Sequence, residues 1–225
     1  MGNQTLIDVH THYDCGEKKV TAIRSIHAGE SFPDHNSLLS CGLHPWKIKD
    51  GHIDEKLHQL IELAKQKQIV AIGESGLDKI IYTPFEIQQQ ILKKQIELSE
   101  KFMLPLIIHC VRAYSELLAL RKKHPEGCWI IHGFEGNQTL ANQLISKNIH
   151  LSIGAALFNP KSKISLSIQH IPLSRLFFET DDQQTYSIEE IYEQASKLLK
   201  VNTEYLKAQI FRNFTDCFSI AKNDP

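Results

Sequence analysis

Short apolar runs recur along this chain, each followed by a longer stretch of helical spacing, and no other feature limits the possible folds as tightly. Strands are expected at Thr5–His10, Val20–His27, Leu38–Leu43, Ile69–Gly73, Leu106–His109, Cys128–His132, His150–Ile153 and Leu176–Glu179. These runs are rich in Val, Ile, Leu and Phe, as strands buried on both faces of a parallel sheet must be. Helices are expected at Asp54–Gln68, Pro84–Phe102, Ala113–His124, Asn137–Lys147 and Ser187–Leu199, with a last one opening at Thr203 or Glu204 and ending near Phe218. In Pro84–Phe102 the helical period puts Phe85, Ile91, Leu92, Gln95, Ile96 and Leu98 near one side. Pro84 suits a first helical turn, and Ser187 with Glu190 reads as a capping box.

Strands alternating with helices demand parallel pairing and right-handed crossovers. Eight of them predict an α/β fold, a (β/α)8 TIM-type barrel. The stretches between His10 and Val20 and between His27 and Leu38 are too short for crossover helices, so irregular or missing helices are expected in the first two βα connections. The chain has 225 residues, 42% of them hydrophobic, which suits one domain spanning 1–225.

Composition excludes several classes. A formal net charge of −1 provides no broad basic field, so a nucleic acid would have to be gripped locally. The five cysteines contain no C-x-x-C pair, which argues against a structural zinc site or a disulfide framework and for reduced thiols in a cytoplasmic protein. No secretory leader is expected at the N-terminus, and no apolar run approaches the ~20 residues of a membrane span. There is no G-x-S-x-G nucleophile elbow and no glycine-rich phosphate loop.

The candidate chemistry sits at strand ends. His10 and His12 are two apart, so an extended strand points both imidazoles to one side, where they can grip one ion. Asp8 shares that alternation, as an outer ligand or as the acceptor behind a ligating imidazole. His44 follows the third run, Glu74 the fourth, His109 closes the fifth and His132 the sixth, and Asp181 follows the last. In a barrel these ends share one face, so remote side chains converge. Glu74 is a carboxylate next to a buried strand, which is expensive unless paired or metal-bound. Arg112 suits a phosphate oxygen or a rim salt bridge. Asp78 and Glu179 are read as structural, Asp182 as a lesser alternative to Asp181, and the other histidines, His27 among them, as solvated or structural.

Six ordered segments, D-V-H-T-H at 8–12, G-L-H-P at 42–45, G-E-S-G-L-D at 73–78, H-C-V-R-A at 109–113, H-G-F-E-G at 132–136 and E-T-D at 179–181, together resemble the TatD-like metal-dependent deoxyribonucleases and hydrolases of the amidohydrolase superfamily. The resemblance spans nearly the whole chain. It implies a dinuclear site in which His10, His12 and Asp181 hold one metal, His109 and His132 the other, and Glu74 bridges. It also implies that His44 and Arg112 meet the substrate phosphate, with Phe134 as a nearby packing or substrate contact. The chain departs from the family pattern in its early helices, in the H-C-V-R spacing at Arg112, and in Asp182 and Gln183, which stand where the family has a small residue and proline.

The expected activity is therefore hydrolysis with one or two divalent ions (Mg2+, Mn2+ or Zn2+), most simply as an exonuclease-type phosphodiesterase acting on DNA or another phosphoester. Asp181 would take the proton of the attacking water, with Glu74 and His44 as the other catalytic groups. A phosphomonoesterase, or an amide or ester hydrolase such as a deacylase, is the alternative enzyme reading. An inactive barrel serving as a binding partner is the non-enzymatic one. Neither a membrane nor an obligate protein partner is expected.

Overall fold

The structure is a computed structural model and describes residues 5–14, 19–31 and 37–218. Strand order follows chain order and every pairing among the described residues is parallel, so the fold class is the (β/α)8 TIM-type barrel. Two compact units divide the chain: a first unit of Met1–Arg24 with His132–Pro225, and a second of Ser25–Ile131.

In the second unit β3 (Leu38–Gly42), β4 (Ala71–Asp78), β5 (Leu106–Val111) and β6 (Trp129–Ile131) lie side by side. Ser40 stands opposite Ala71, Ile72 opposite Leu106 and Leu106 opposite Trp129. A 3₁₀ turn at Pro45–Asp50, α1 (Ile53–Lys65), α2 (Phe85–Phe102) and α3 (Tyr114–Lys123) connect them. The helix α2 buries Ile91, Leu92 and Ile96 along one stripe, and Gln88, Gln95 and Ser99 share it. β4 and β5 approach so closely that a Cβ on Gly76 would stand 1.9 Å from the His109 carbonyl oxygen.

In the first unit β1 (Leu6–Thr11) pairs with the start of β2 (Val20–His27), whose end belongs to the second unit. β7 (Ile149–Ile153) pairs with β8 (Leu176–Phe178), and the chain just beyond β8 reaches β1 through a bridge between Thr11 and Asp181. The helices are α4 (Gln138–Ile145), α5 (Lys163–Ser167), α6 (Ile188–Leu199) and α7 (Thr203–Phe218). All six residues of β1 are buried, and alternation separates Ile7 and Val9 from Asp8 and His10. Ser187 and Glu190 form the expected capping box at the start of α6.

The described residues of the first two connections carry no helix, as expected; 15–18 and 32–36 lie outside the described residues. Several boundaries differ from expectation. β4 runs on to Asp78, so Glu74 lies inside the strand instead of after it, because pairing with β5 resumes beyond a register shift between Ile72 and Ser75. His109 likewise lies within β5, and Pro84 caps α2 instead of entering its first turn. Cys41 and Cys110 are free and buried, and burial pushes both thiols up to about 12. The expectation of reduced thiols fails at Cys128 and Cys217, which are disulfide-bonded; sequence spacing does not reveal pairing. No helix among the described residues is long and apolar enough to cross a membrane.

Candidate metal centre

Each unit carries its own cluster of donor groups. In the first, the backbone of Asp181 is held between two histidines: its N–H donates to the His10 carbonyl at 3.0 Å, and its carbonyl accepts from the His12 N–H at 3.1 Å. Alternation around Thr11 then turns both imidazoles toward the Asp181 carboxylate, with His10 Nε2 and His12 Nε2 at 3.4 and 3.6 Å from Oδ1. His132 places Nδ1 4.0 Å from Oδ2, and its ring centroid is 4.4 Å from that of His10. Ligands about 2.1 Å from a common tetrahedral ion stand roughly 3.4 Å apart, so the chemistry and the spacing of this set fit a divalent cation.

The strand end that carries Asp181 is fixed by Asp8. Its carboxylate accepts the Thr180 N–H at 3.1 Å and the Thr180 hydroxyl at 2.7 Å, and the same hydroxyl lies 2.9 Å from Thr11 Oγ1. Burial raises the Asp8 pKa to about 7 against the lowering effect of the Thr180 bonds. Both oxygens of Asp8 thus bond Thr180, so its observed contacts hold the strand end. Asp181 takes a left-handed backbone (φ 56), a region that aspartate tolerates better than most residues. Glu179 is buried, accepts the Gly133 N–H and lies 3.8 Å from His132 Nδ1.

In the second unit Glu74 is the hub. It is 4% exposed, and its Oε1 lies 3.0 Å from both His44 Nε2 and His109 Nδ1. The Nδ1 of His44 accepts the Trp46 N–H at 3.2 Å, which puts the imidazole proton on Nε2 and makes that atom a donor to Glu74. The other nitrogen of His109, Nε2, lies 3.3 Å from Asp78 Oδ2. A carboxylate behind an imidazole is the arrangement that orients a metal-ligating histidine. Asp78 is wholly buried and also accepts the Trp46 indole N–H at 2.7 Å and the Ile80 N–H at 2.9 Å. Burial works to raise its pKa, but these bonds and His109 outweigh it and hold the carboxyl below the usual aspartate value.

The backbone that presents this cluster is gripped from α2. Gln95 accepts the Leu43 N–H at 2.8 Å and donates to the Leu43 carbonyl at 3.1 Å, just before His44. Gln88 does the same for Asp78, at 2.7 and 3.0 Å.

Within the first unit, then, His10, His12, His132 and Asp181 come together, and within the second His44, Glu74 and His109 do. Arg112 lies exposed just past β5 with a left-handed backbone (φ 54). Phe134 is fully buried, its ring so close over Gly136 that a Cβ there would meet it at 2.5 Å. Trp46, Gln88 and Gln95 were missed as functional residues. For the glutamines the available signal was an amide at positions seven apart on an apolar helical face. His27, set aside in the sequence, has its ring centroid 5.9 Å from that of His44, and burial lowers its pKa.

Comparison with known proteins adds an independent line. The profile of the family described as TatD related DNase matches residues 8–219. The Escherichia coli protein named uncharacterized metal-dependent hydrolase YjjV is 30% identical over 203 residues, covering 78% of this chain and 78% of that protein. The 3'-5' ssDNA/RNA exonuclease TatD of Cronobacter sakazakii is 31% identical over 150 residues, 63% of this chain and 56% of that one. Among solved structures, the Escherichia coli TatD homologue YJJV superposes with a TM-score of 0.85 at 23% identity, over 97% of this chain and 100% of that one. A hydrolase TatD family protein from Entamoeba histolytica gives 0.75 at 17% identity, over 96% and 98%. At these identities the two structures speak for the fold.

Proposed function

The chain belongs to the TatD-related DNase family of metal-dependent hydrolases, and from that premise we propose that it hydrolyses phosphodiester bonds of single-stranded DNA from a chain end. The ion-binding residues in this reading are the six that the family resemblance implies: His10, His12, Glu74, His109, His132 and Asp181. One or two divalent ions bind, Mg2+, Mn2+ or Zn2+, and the imidazoles favour a transition metal.

One observation supports it above the rest. Asp181 is held by two backbone hydrogen bonds between His10 and His12, with both imidazoles at 3.4 and 3.6 Å from a single carboxylate oxygen. Such a set is organised before any ligand arrives, because the strand bridge and not the side chains fixes its spacing. A bound divalent ion supplies polarisation of the phosphoryl oxygen and a lowered pKa for attacking water. Asp181 accepts the proton of that water and returns it to the leaving oxygen. His44 Nε2, which donates to Glu74 in this structure, would turn its proton to a phosphoryl oxygen once Glu74 engages an ion, and Arg112, exposed just past β5, offers a guanidinium to the strand's backbone.

The test is digestion of end-labelled single-stranded DNA with Mg2+, Mn2+ or Zn2+, wild type beside Asp181→Asn. The variant keeps its backbone bridge and should lose about 10²–10⁴-fold in kcat. Equal rates would remove Asp181 as proton carrier. Release of acyl groups from amides or esters, with no cleavage of DNA by any metal form, would replace the nuclease reading with the deacylase one.

A further inference from the structure

In the second unit an apolar cavity of about 570 Å³ opens beside the Glu74 cluster, with Trp46, Ile48, Lys49, Ile80, Tyr82 and Ile87 among its walls. Nothing in the hydrolytic chemistry uses it. We infer that this cavity is a stacking subsite for an unpaired nucleobase, with Trp46 as its platform and Tyr82 as the facing ring. This rests on the nuclease reading above and assigns the place where one base of its single-stranded substrate is held.

Trp46 belongs to both places at once. Its indole N–H is fixed on Asp78 at 2.7 Å, and its ring packs edge-on to His44 (centroids 5.1 Å apart, 83°) and to His109 (5.9 Å, 76°). The ring is therefore held at a set angle although the residue is 53% exposed. An aromatic ring immobilised on one edge and left open on a face is what base stacking requires, and stacking tolerates any base. Its place one ring away from His44 and His109 matches a base hanging one sugar away from its phosphate.

The neighbouring surface has the same character. Tyr82 is fully exposed, and Ile80 is 61% exposed on the same turn after β4. Large apolar residues left open together on a monomer's surface mark a binding site. The charge in the wall also selects among occupants. Among the described residues no carboxylate lines the cavity, and Lys49 does, so a ligand carrying phosphates is welcomed and a cationic one gains nothing. An aliphatic acyl chain would fill the apolar volume but would have no use for the lysine or for a fixed indole face.

Fluorescence can read the site without turnover. The chain has two tryptophans. Trp129 is fully buried with the Arg121 guanidinium 5.0 Å over its ring, so quenching by a stacked base reports on Trp46. Metal-free protein in EDTA is titrated with the oligothymidylate dT4, with binding followed in parallel by anisotropy of a fluorescein-labelled copy. The inference expects quenching in the wild type, a Kd about 5- to 150-fold weaker in Trp46→Ala and in Tyr82→Ala, and near-wild-type affinity in Trp46→Phe. Tyr82 is wholly on the surface, so its variant keeps the experiment decisive if Trp46→Ala does not fold.

Wild-type affinity in either alanine variant overturns the inference. So does quenching by N-octanoylglycine with none by dT4. The two readings fail separately. If wild type digests dT4 with added metal while Tyr82→Ala binds it unchanged, the nuclease stands and the subsite falls. If dT4 stacks on Trp46 but no metal form cleaves it, the subsite stands and the nuclease falls.

Discussion

Gln95 gives the sharpest test of how the candidate site is held. It is wholly buried in α2, with Oε1 accepting the Leu43 N–H at 2.8 Å and Nε2 donating to the Leu43 carbonyl at 3.1 Å. Leu43 is 3% exposed, so water cannot take over either bond. The change Gln95→Leu keeps volume and deletes both partners, leaving a buried N–H and a buried C=O unsatisfied at about 1–3 kcal/mol each. The more apolar leucine recovers part of this through burial, for a net loss of about 2–4 kcal/mol. Urea unfolding followed by far-UV circular dichroism measures it: at an m-value of about 3 kcal/mol/M the midpoint should fall by roughly 1 M. Activity should fall as well, because His44 is the next residue along and the released backbone no longer sets the Nε2 direction. Gln95→Glu is the companion variant, since an ionised carboxylate keeps the acceptor and loses the donor, and it too should lose stability. A midpoint shift under about 0.2 M in Gln95→Leu, the level of an ordinary surface substitution, would refute the claim that α2 holds the strand end through this amide.

Other outcomes follow from the same geometry. Gly76→Ala should abolish soluble expression, because its Cβ would stand 1.9 Å from a backbone oxygen of β5 that has no side-chain freedom to retreat; a soluble variant melting like wild type would contradict that approach. Ser187→Ala should lower Tm by about 2–4 °C by removing the cap of α6. The Ser187 backbone N–H and hydroxyl hold the Glu190 carboxyl below its usual value, so its share of the capping box is present above the ordinary glutamate range and fades as pH falls through the depressed value. The Tm gap between Ser187→Ala and wild type should therefore narrow in acid, which a pH series of melts can read. Saturating the protein with Mn2+ at about 100 times its Kd should stabilise it by about 2.7 kcal/mol, or roughly 5–11 °C in Tm, and His10→Ala should forfeit most of that rise. An unchanged Tm with every divalent ion would mean that the donors do not hold one. Asp8→Asn, whose amide nitrogen cannot accept from Thr180, should destabilise by about 1–3 kcal/mol and lower activity through the Asp181 strand end, as melts and the digestion assay would show.

The fold was legible because its signals are local and repeated. An apolar run followed by an amphipathic stretch states its own element type, and the alternation states parallel pairing without any contact being known. The short connections after His10 and His27 were expected to lack regular helices, and their described residues carry none. The strand ends were less legible, and for one reason. Glu74 is polar and was placed just beyond its strand, and His109 was read as the last residue of its own, whereas β4 and β5 carry both within their paired length because pairing past the register shift outweighs the polarity of two residues. Propensity marks where a strand begins more reliably than where it stops when the stopping residues are the chemistry.

What the sequence hid was the layer behind the donors. Histidines and acids at strand ends announce themselves; an amide or a phenol inside an apolar stripe does not. Yet Gln95 on Leu43, Gln88 on Asp78 and Tyr192 on Ile7 follow one rule. Each reaches from a helix to a strand or the residue just past its end and satisfies both the N–H and the C=O of one residue, Tyr192 at 3.2 and 3.0 Å. A buried backbone group must find a partner, and near the ends of short, bent strands the sheet does not always provide one. Two of these residues, Leu43 and Asp78, adjoin or belong to the cluster that offers donor atoms, and Ile7 precedes Asp8, which holds the loop of Asp181. Positioning in this protein is therefore carried by neutral side chains that read as ordinary helix content. A variant library restricted to the histidines and acids would find the chemistry and miss what aims it.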